Sequence, residues 1–349
     1  MPRIPSILIH QAASVSPFLP SILRGTRDLS SARTELRWIT EEFQQNRTAF
    51  LANLARLPYF PAVLQRPSRI RYRPQWKWTK RLEYLRLQPD PARIVLRQCA
   101  RLRERHYPLQ YILGTQPFHL LDVVVRPGVL IPRPETEELT SHLAGLLETH
   151  HPEKLNVIDL CAGTGCIGLL LSCLVKGTTT IGVDISKSAL ACMAENKTKH
   201  EDLLSIAGSE YRPVYHDVLS TVPKTVAFIN SQLGPGKADL IVSNPPYISS
   251  AGFNKDTSRS VRLWEPRLAL VPDGVDENVF YDRIIDVATE VHANGIVFEV
   301  GSWDQATSIQ RLMGKKGWKS SVWPDFHGKG RTVVAFREGG WEWLQSAPS

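Results

Sequence analysis

The 349-residue chain has few cysteines, and nothing in their placement staples or chelates. Cys99, Cys161, Cys166, Cys173 and Cys192 are scattered, with no C-x-x-C pair and no His-paired zinc spacing. Neither a disulfide framework nor a metal site is expected, and a reducing compartment fits better. No apolar run approaches the ~18 residues of a spanning helix, so no membrane insertion is expected. The composition of a disordered chain is also missing. Hydrophobic residues make up 42% and charged residues 22%, which is enough for a sizeable core. At roughly 100–200 residues per domain, the length allows two.

Acids are scarce in two places. From Arg66 to Arg105 thirteen lysines and arginines face only Glu83, Asp90 and Glu104, an excess of +10 against +8 for the whole chain. Such a face suits a phosphate-rich or acidic partner, and it is equally what a solvated helical face looks like. Residues 1–34 hold Arg3, Arg24, Arg27 and Arg33, several serines, and Asp28 as the one acid. This is the pattern of an organelle transit peptide, although Pro2, Pro5, Pro17 and Pro20 spoil a clean amphipathic helix. Residues 1–30 are therefore expected to be a mitochondrial presequence or a disordered tail.

Leu36, Ile39, Phe43, Phe50, Leu54 and Leu57 recur near helical spacing, which predicts a helix over 31–57. Four prolines make 58–78 a loop, and Asp90-Pro91 starts a helix running to about Glu104. A helical domain thus covers 31–105, followed by a linker over 106–154. Over 155–340 strand-like runs (Asn156–Leu160, Thr180–Asp184, Pro213–His216, Asp239–Ser243, Ile296–Val300) alternate with helical stretches near 166–176, 186–199 and 278–291. Runs at 318–323 and 331–336, with a Gly-rich turn between them, form a hairpin. The alternation implies an α/β fold, a mostly parallel Rossmann-like sheet with helices on both faces and a C-terminal β-hairpin.

The chemistry sits at the strand ends. Val157–Leu160 runs into Cys161-Ala162-Gly163-Thr164-Gly165, a small-residue turn that lets backbone amides and a helix N-terminus approach a ligand. Asp159 precedes that turn. Asp184 ends the next strand about 20 residues on, where a ribose diol needs an acceptor. Asp217, with Val218 beside it, follows the third strand. Each acid alone is more often a helix cap; three in series point to an adenosine-containing cofactor. After the fourth strand come Asn244, Pro245, Pro246 and Tyr247. The prolines remove backbone donors and fix the turn. An Asn carboxamide oxygen and a neighbouring carbonyl can accept both hydrogens of a planar NH2 group, and Tyr247 offers a flat face to stack on it.

Asn-Pro-Pro-Tyr with these elements resembles class I S-adenosylmethionine-dependent methyltransferases acting on planar nitrogens. The segments Tyr107–Gly114, Ile131-Pro132-Arg133-Pro134-Glu135-Thr136-Glu137 and Trp264–Leu270 narrow the likeness to the HemK/PrmC family. That family methylates the glutamine of the Gly-Gly-Gln motif in peptide-chain release factors and so supports translation termination. The resemblance spans about 105–337. It implies S-adenosylmethionine held by Asp159, Cys161 to Gly165, Asp184, Asp217, Val218 and Asn244. It also implies a glutamine held by Asn244 to Tyr247, with Arg133 and Glu137 bordering the pocket. The family's usual glycine after the Gly-x-Asp stretch is Glu277 here, and 219–238 reads as a surface insertion.

The expected partner is a release factor in the mitochondrial matrix, with ribosomal RNA contact through the 66–105 face. The competing expectation is methylation of exocyclic base amines in RNA or DNA, which Asn-Pro-Pro-Tyr also serves. Base methylation needs target-base extrusion and recognition, and no dedicated recognition domain is evident.

Overall fold

The computed structural model describes residues 4–57, 91–150, 154–236, 238–272, 274 and 276–348. The chain divides into two compact units: one takes residues up to Thr115 together with Ser258–Trp264, the other Gln116–Thr257 and Glu265 onward.

The first unit is helical: α1 (Ser6–Val15), α2 (Leu19–Thr26), α3 (Leu29–Gln45), α4 (Arg47–Arg56), α5 (Pro91–Glu104) and α6 (Leu109–Leu113). Within 1–30, expected to be a presequence or a disordered tail, the described residues hold two helices rather than disordered chain. Pro5 precedes α1 and Pro20 occupies the first turn of α2, positions where a missing N–H costs nothing, so these prolines start helices. Leu19, Ile22 and Leu23 are wholly buried, and α2 packs on α3 and α5. The single helix expected over 31–57 is two, broken at Asn46 (φ −119°, ψ 35°). Arg103 of α5 turns inward and pairs with both carboxylate oxygens of Glu35 at 2.6 Å, while Arg93, Arg97 and Arg101 lie exposed on the same helix. The expected loop over 58–78 and the basic residues of 66–90 lie outside the described residues. Within this unit Tyr107 meets Trp264 edge-on at 4.9 Å, and Trp264 Nε1 donates to the Arg105 carbonyl. Two of the signature segments thus meet here.

The second unit begins inside the expected linker, which is structured: β1 (Thr115–Phe118) and β2 (Leu121–Val124) pair, and α7 (Pro134–His150) buries Leu139, Leu143 and Leu147. Then follow β3 (Asn156–Leu160), α8 (Cys166–Leu174), β4 (Thr179–Asp184), α9 (Lys187–Lys199), α10 (Glu201–Ala207), β5 (Glu210–Tyr215), α11 (Val222–Leu233) and β6 (Leu240–Ser243). α12 (Val279–Glu290), β7 (Gly295–Glu299), α13 (Trp303–Lys315), β8 (Lys319–Pro324) and β9 (Gly330–Phe336) complete it. The sheet order is β5-β4-β3-β6-β7-β9-β8. The first five are parallel, and β9 runs antiparallel to both β7 and β8. Side chains alternate across the pleat. Val157, Leu240, Val242 and Val297 pack on one face with Leu143, Leu169 and Leu170; Ile158, Ile241, Ile296 and Phe298 pack on the other with Ile284, Ile285 and Ile309. Helices cover both faces, as the alternation of patterns predicted. No helix among the described residues is long and apolar enough to cross a membrane. The unit runs past 340, since Trp323 Nε1 donates to the carbonyl of buried Leu344.

Candidate active site

Parallel strands place their carboxyl ends on one edge, and the turns after β3, β4, β5 and β6 converge there. After β3 the chain reverses through Cys161, Gly163 and Gly165 with φ of 60°, 59° and 80°. Cys161 is the unusual member, because a residue with a Cβ rarely adopts the left-handed region outside sites that hold it there. Gly165 is needed sterically: a Cβ would lie 2.3 Å from Tyr211 Oη and 2.9 Å from Met193 Cγ. Gly163 has no neighbour within 4 Å of the same position, so the turn is open there. Asn196 of α9 anchors the turn from behind, its Nδ2 donating to the Thr164 carbonyl at 3.0 Å.

In front of the turn lies a cavity of about 250 Å³. It is lined by Cys161, Asp184, Ile185, His216, Asp217, Val218, Leu219, Asn244, Pro246, Leu268, Ala269 and Phe280. Asp184 spans the turn and the next helix: Oδ2 accepts from Gly163 N at 2.9 Å and Oδ1 from Ser186 N at 2.8 Å. Burial raises its pKa against those amide bonds. Asp217 Oδ1 accepts from Leu219 N, which fixes Val218 between them against the cavity. His216 stacks on Phe228 of α11 at 4.2 Å and reaches Thr225 with Nε2 at 3.0 Å. The segment that reads as a surface insertion therefore carries a helix that holds one wall.

Of the residues expected around a cofactor, Cys161, Asp184, Asp217, Val218 and Asn244 share this lining. Ala162, Thr164 and Gly165 are buried beneath it. Asp159 is elsewhere. Its carboxylate is fully buried and Oδ2 accepts from Gly168 N at 3.0 Å, at the start of α8. Burial, helped by Asp184 and opposed by that amide, pushes its pKa up to about 7. It acts as a helix cap, which is what an isolated strand-end acid most often is.

On the far side, Asn244 and Pro246 form a wall with Pro245 buried behind them. Ile248 N donates to the Leu270 carbonyl at 2.9 Å, which brings Leu268 and Ala269 alongside. Tyr247 Oη donates to Glu299 Oε1 at 3.2 Å, and Thr136 Oγ1 donates to Glu299 Oε2. Asn244 Nδ2 reaches Thr136 Oγ1 at 3.4 Å. Arg133 Nη2 bonds both oxygens of Glu265, at 2.9 and 2.8 Å, and Glu265 also accepts from Ile131 N. The Glu265 side chain is 2% exposed, so Arg133 is committed to holding this segment. Glu137 sits in the first turn of α7 and is not among the residues lining the cavity.

Sequence reasoning passed over Ile185, His216, Leu219, Leu268, Ala269 and Phe280 as lining, and Thr136 and Glu299 as supports. Leu268 and Ala269 stood in a quoted signature segment. Phe280 and Glu299 carry no local signal, because each is one ordinary residue in an ordinary helix or strand.

The lining combines apolar side chains, two carboxylates and Cys161 of the glycine turn, a set that suits a nucleoside carrying a small charged arm. Among known proteins, the methyltransferase small domain family matches residues 135–274. The chain is 31% identical over 346 residues to the mitochondrial MRF1 N(5)-glutamine methyltransferase MTQ1 of Saccharomyces cerevisiae, covering 97% of this chain and 90% of that protein. To the probable mitochondrial MRF1 N(5)-glutamine methyltransferase of Schizosaccharomyces pombe it is 30% identical over 348 residues, 97% of each. The release factor glutamine methyltransferase of Bacillus subtilis is 37% identical over 234 residues, 65% of this chain and 75% of that protein. The chain belongs to the release factor glutamine methyltransferase family.

Proposed function

We propose that this protein transfers a methyl group from S-adenosylmethionine to the side-chain nitrogen of the glutamine in the Gly-Gly-Gln motif of a mitochondrial release factor, in the matrix. The observation that carries this is the single cavity in which Cys161 of the glycine turn, Asp184 and Asp217 face Asn244 and Pro246. Cys161 to Gly165 with Asp184 would hold the methionine end and ribose of the cofactor. Asp217, Val218, Leu219 and Phe280 would flank its base. When bound, the cofactor supplies an activated sulfonium methyl.

An amide nitrogen is a poor nucleophile, so the chain's task is alignment and charge complementarity. The Asn244 carboxamide oxygen and the Pro245 carbonyl would accept the two N–H bonds, aim the nitrogen at the methyl, and favour the positive charge that develops on it. The mitochondrial relatives support the compartment, and the basic arginines of α5 would suit a docking role on ribosomal RNA.

The test is label transfer from S-adenosylmethionine to purified mitochondrial release factor, to its Gln→Ala variant in the Gly-Gly-Gln loop, and to total RNA. Label on the wild-type factor alone is expected. Label on RNA alone would replace the proposal with nucleic-acid methylation.

A further inference from the structure

Asn244 has a problem that its neighbours must solve. A carboxamide presents a donor on one side and an acceptor on the other, and rotating it by half a turn exchanges them at little steric cost. Facing a substrate NH2 group, only the oxygen side is productive. The nitrogen side would set donor against donor.

We infer that Glu299 and Thr136 form a positioning relay that fixes which side of Asn244 faces the reacting amide. It deepens the proposed function and rests on it. Ionised Glu299 can only accept hydrogen bonds. It lies at the end of β7, 3% exposed, with Oε1 receiving Tyr247 Oη and Oε2 receiving Thr136 Oγ1. Thr136 has one hydroxyl proton. Once that proton is given to Glu299, the oxygen has only lone pairs left for its other neighbour. That neighbour is Asn244, which must therefore present Nδ2, as it does at 3.4 Å. The oxygen is then turned away from Thr136 and left for the substrate. Polarity passes from a buried charge through a hydroxyl to the carboxamide, and the same carboxylate holds the Tyr247 ring.

The surroundings keep the relay rigid. Thr136 is 2% exposed, and the Arg133–Glu265 pair pins the segment just before it. Tyr247 is held a second time, its carbonyl accepting from Gln305 Nε2 while Gln305 Oε1 accepts from Gly301 N. Burial raises the pKa of Glu299 and Glu135 adds to it; the Thr136 and Tyr247 hydroxyls and Arg331 act the other way. Raising the assay pH favours the ionised form.

Thr136→Val keeps the shape and removes the hydroxyl, and Thr136→Ser keeps the hydroxyl. Glu299→Gln replaces one acceptor with a donor and so allows the polarity to reverse. Methyl transfer to the release factor is measured for the wild type and all three variants, with S-adenosylhomocysteine affinity and melting temperature alongside. The expected result is a kcat lower by about 10²-fold for Thr136→Val and Glu299→Gln, the scale of losing an oriented polar contact in a transition state. KM for the cofactor and its affinity should hold steady, and Thr136→Ser should restore turnover. Equal kcat for Thr136→Val and Thr136→Ser would overturn the relay, as would a loss matched by lost cofactor affinity. If the wild-type enzyme itself leaves the factor unmethylated, it is the proposed function that fails.

Discussion

Replacing Asp159 with asparagine should change stability in a way that depends on pH. Asp159 is buried under the glycine turn, and Oδ1 has no hydrogen-bond partner among the described residues. Its pKa of about 7 means that the folded protein binds this proton more tightly than the unfolded chain does. Stability from such a group is complete below the unfolded pKa and is lost as pH rises through the folded one. Here the loss runs from about pH 4 to about pH 7 and amounts to ~4 kcal/mol over some three units. Asparagine keeps an oxygen for Gly168 N and has no proton to lose. Its Nδ2 replaces an unpartnered oxygen, so at low pH it brings no advantage. The difference between variant and wild type should therefore grow in the variant's favour by about 3 kcal/mol between about pH 5 and about pH 8. For a unit of this size that is roughly 6–10 °C in relative Tm. Denaturant midpoints and calorimetry at several pH values measure it, and other titrating groups cancel in the difference. Parallel stability curves for the two proteins would refute the reasoning.

Two contrasts test the packing. Gly165→Ala drives a methyl into Tyr211 and Met193 and should cost well over 2 kcal/mol, whereas Gly163→Ala meets open space and should cost about 1 kcal/mol of backbone strain; thermal melts of the pair decide it. In the helical unit, Arg103→Ala strands Glu35, whose side chain is 13% exposed, and should destabilise that unit by about 3–5 kcal/mol. Hydrogen exchange should show the loss in α3 and α5. A small uniform effect would mean that the ion pair is solvated.

The strands of the main sheet were legible because a parallel sheet demands short apolar runs punctuated by turns, and β3 was bounded to the residue. The helices of 6–26 were not, because proline was read as a breaker where first-turn positions make it a starter. The cavity's charged and turn residues could be found since each strand end announces itself with an acid or a small-residue turn. Asp159 shares that signal yet lies inside its strand, one residue before the end, where its side chain goes beneath the turn. Thr136 and Glu299 stand 163 residues apart. Only the fold brings them together, and neither residue type nor spacing betrays it.

The most direct measurement is the position of the methyl group on the release factor after reaction with the wild type and with Asn244→Ala, read by fragment-ion mass spectrometry, with S-adenosylhomocysteine binding measured on both enzymes. The wild type should place one methyl on the side-chain nitrogen of the Gly-Gly-Gln glutamine. The variant should turn over about 10²-fold more slowly while losing far less cofactor affinity. A methyl group on any other residue, or an undiminished Asn244→Ala enzyme, would contradict the account.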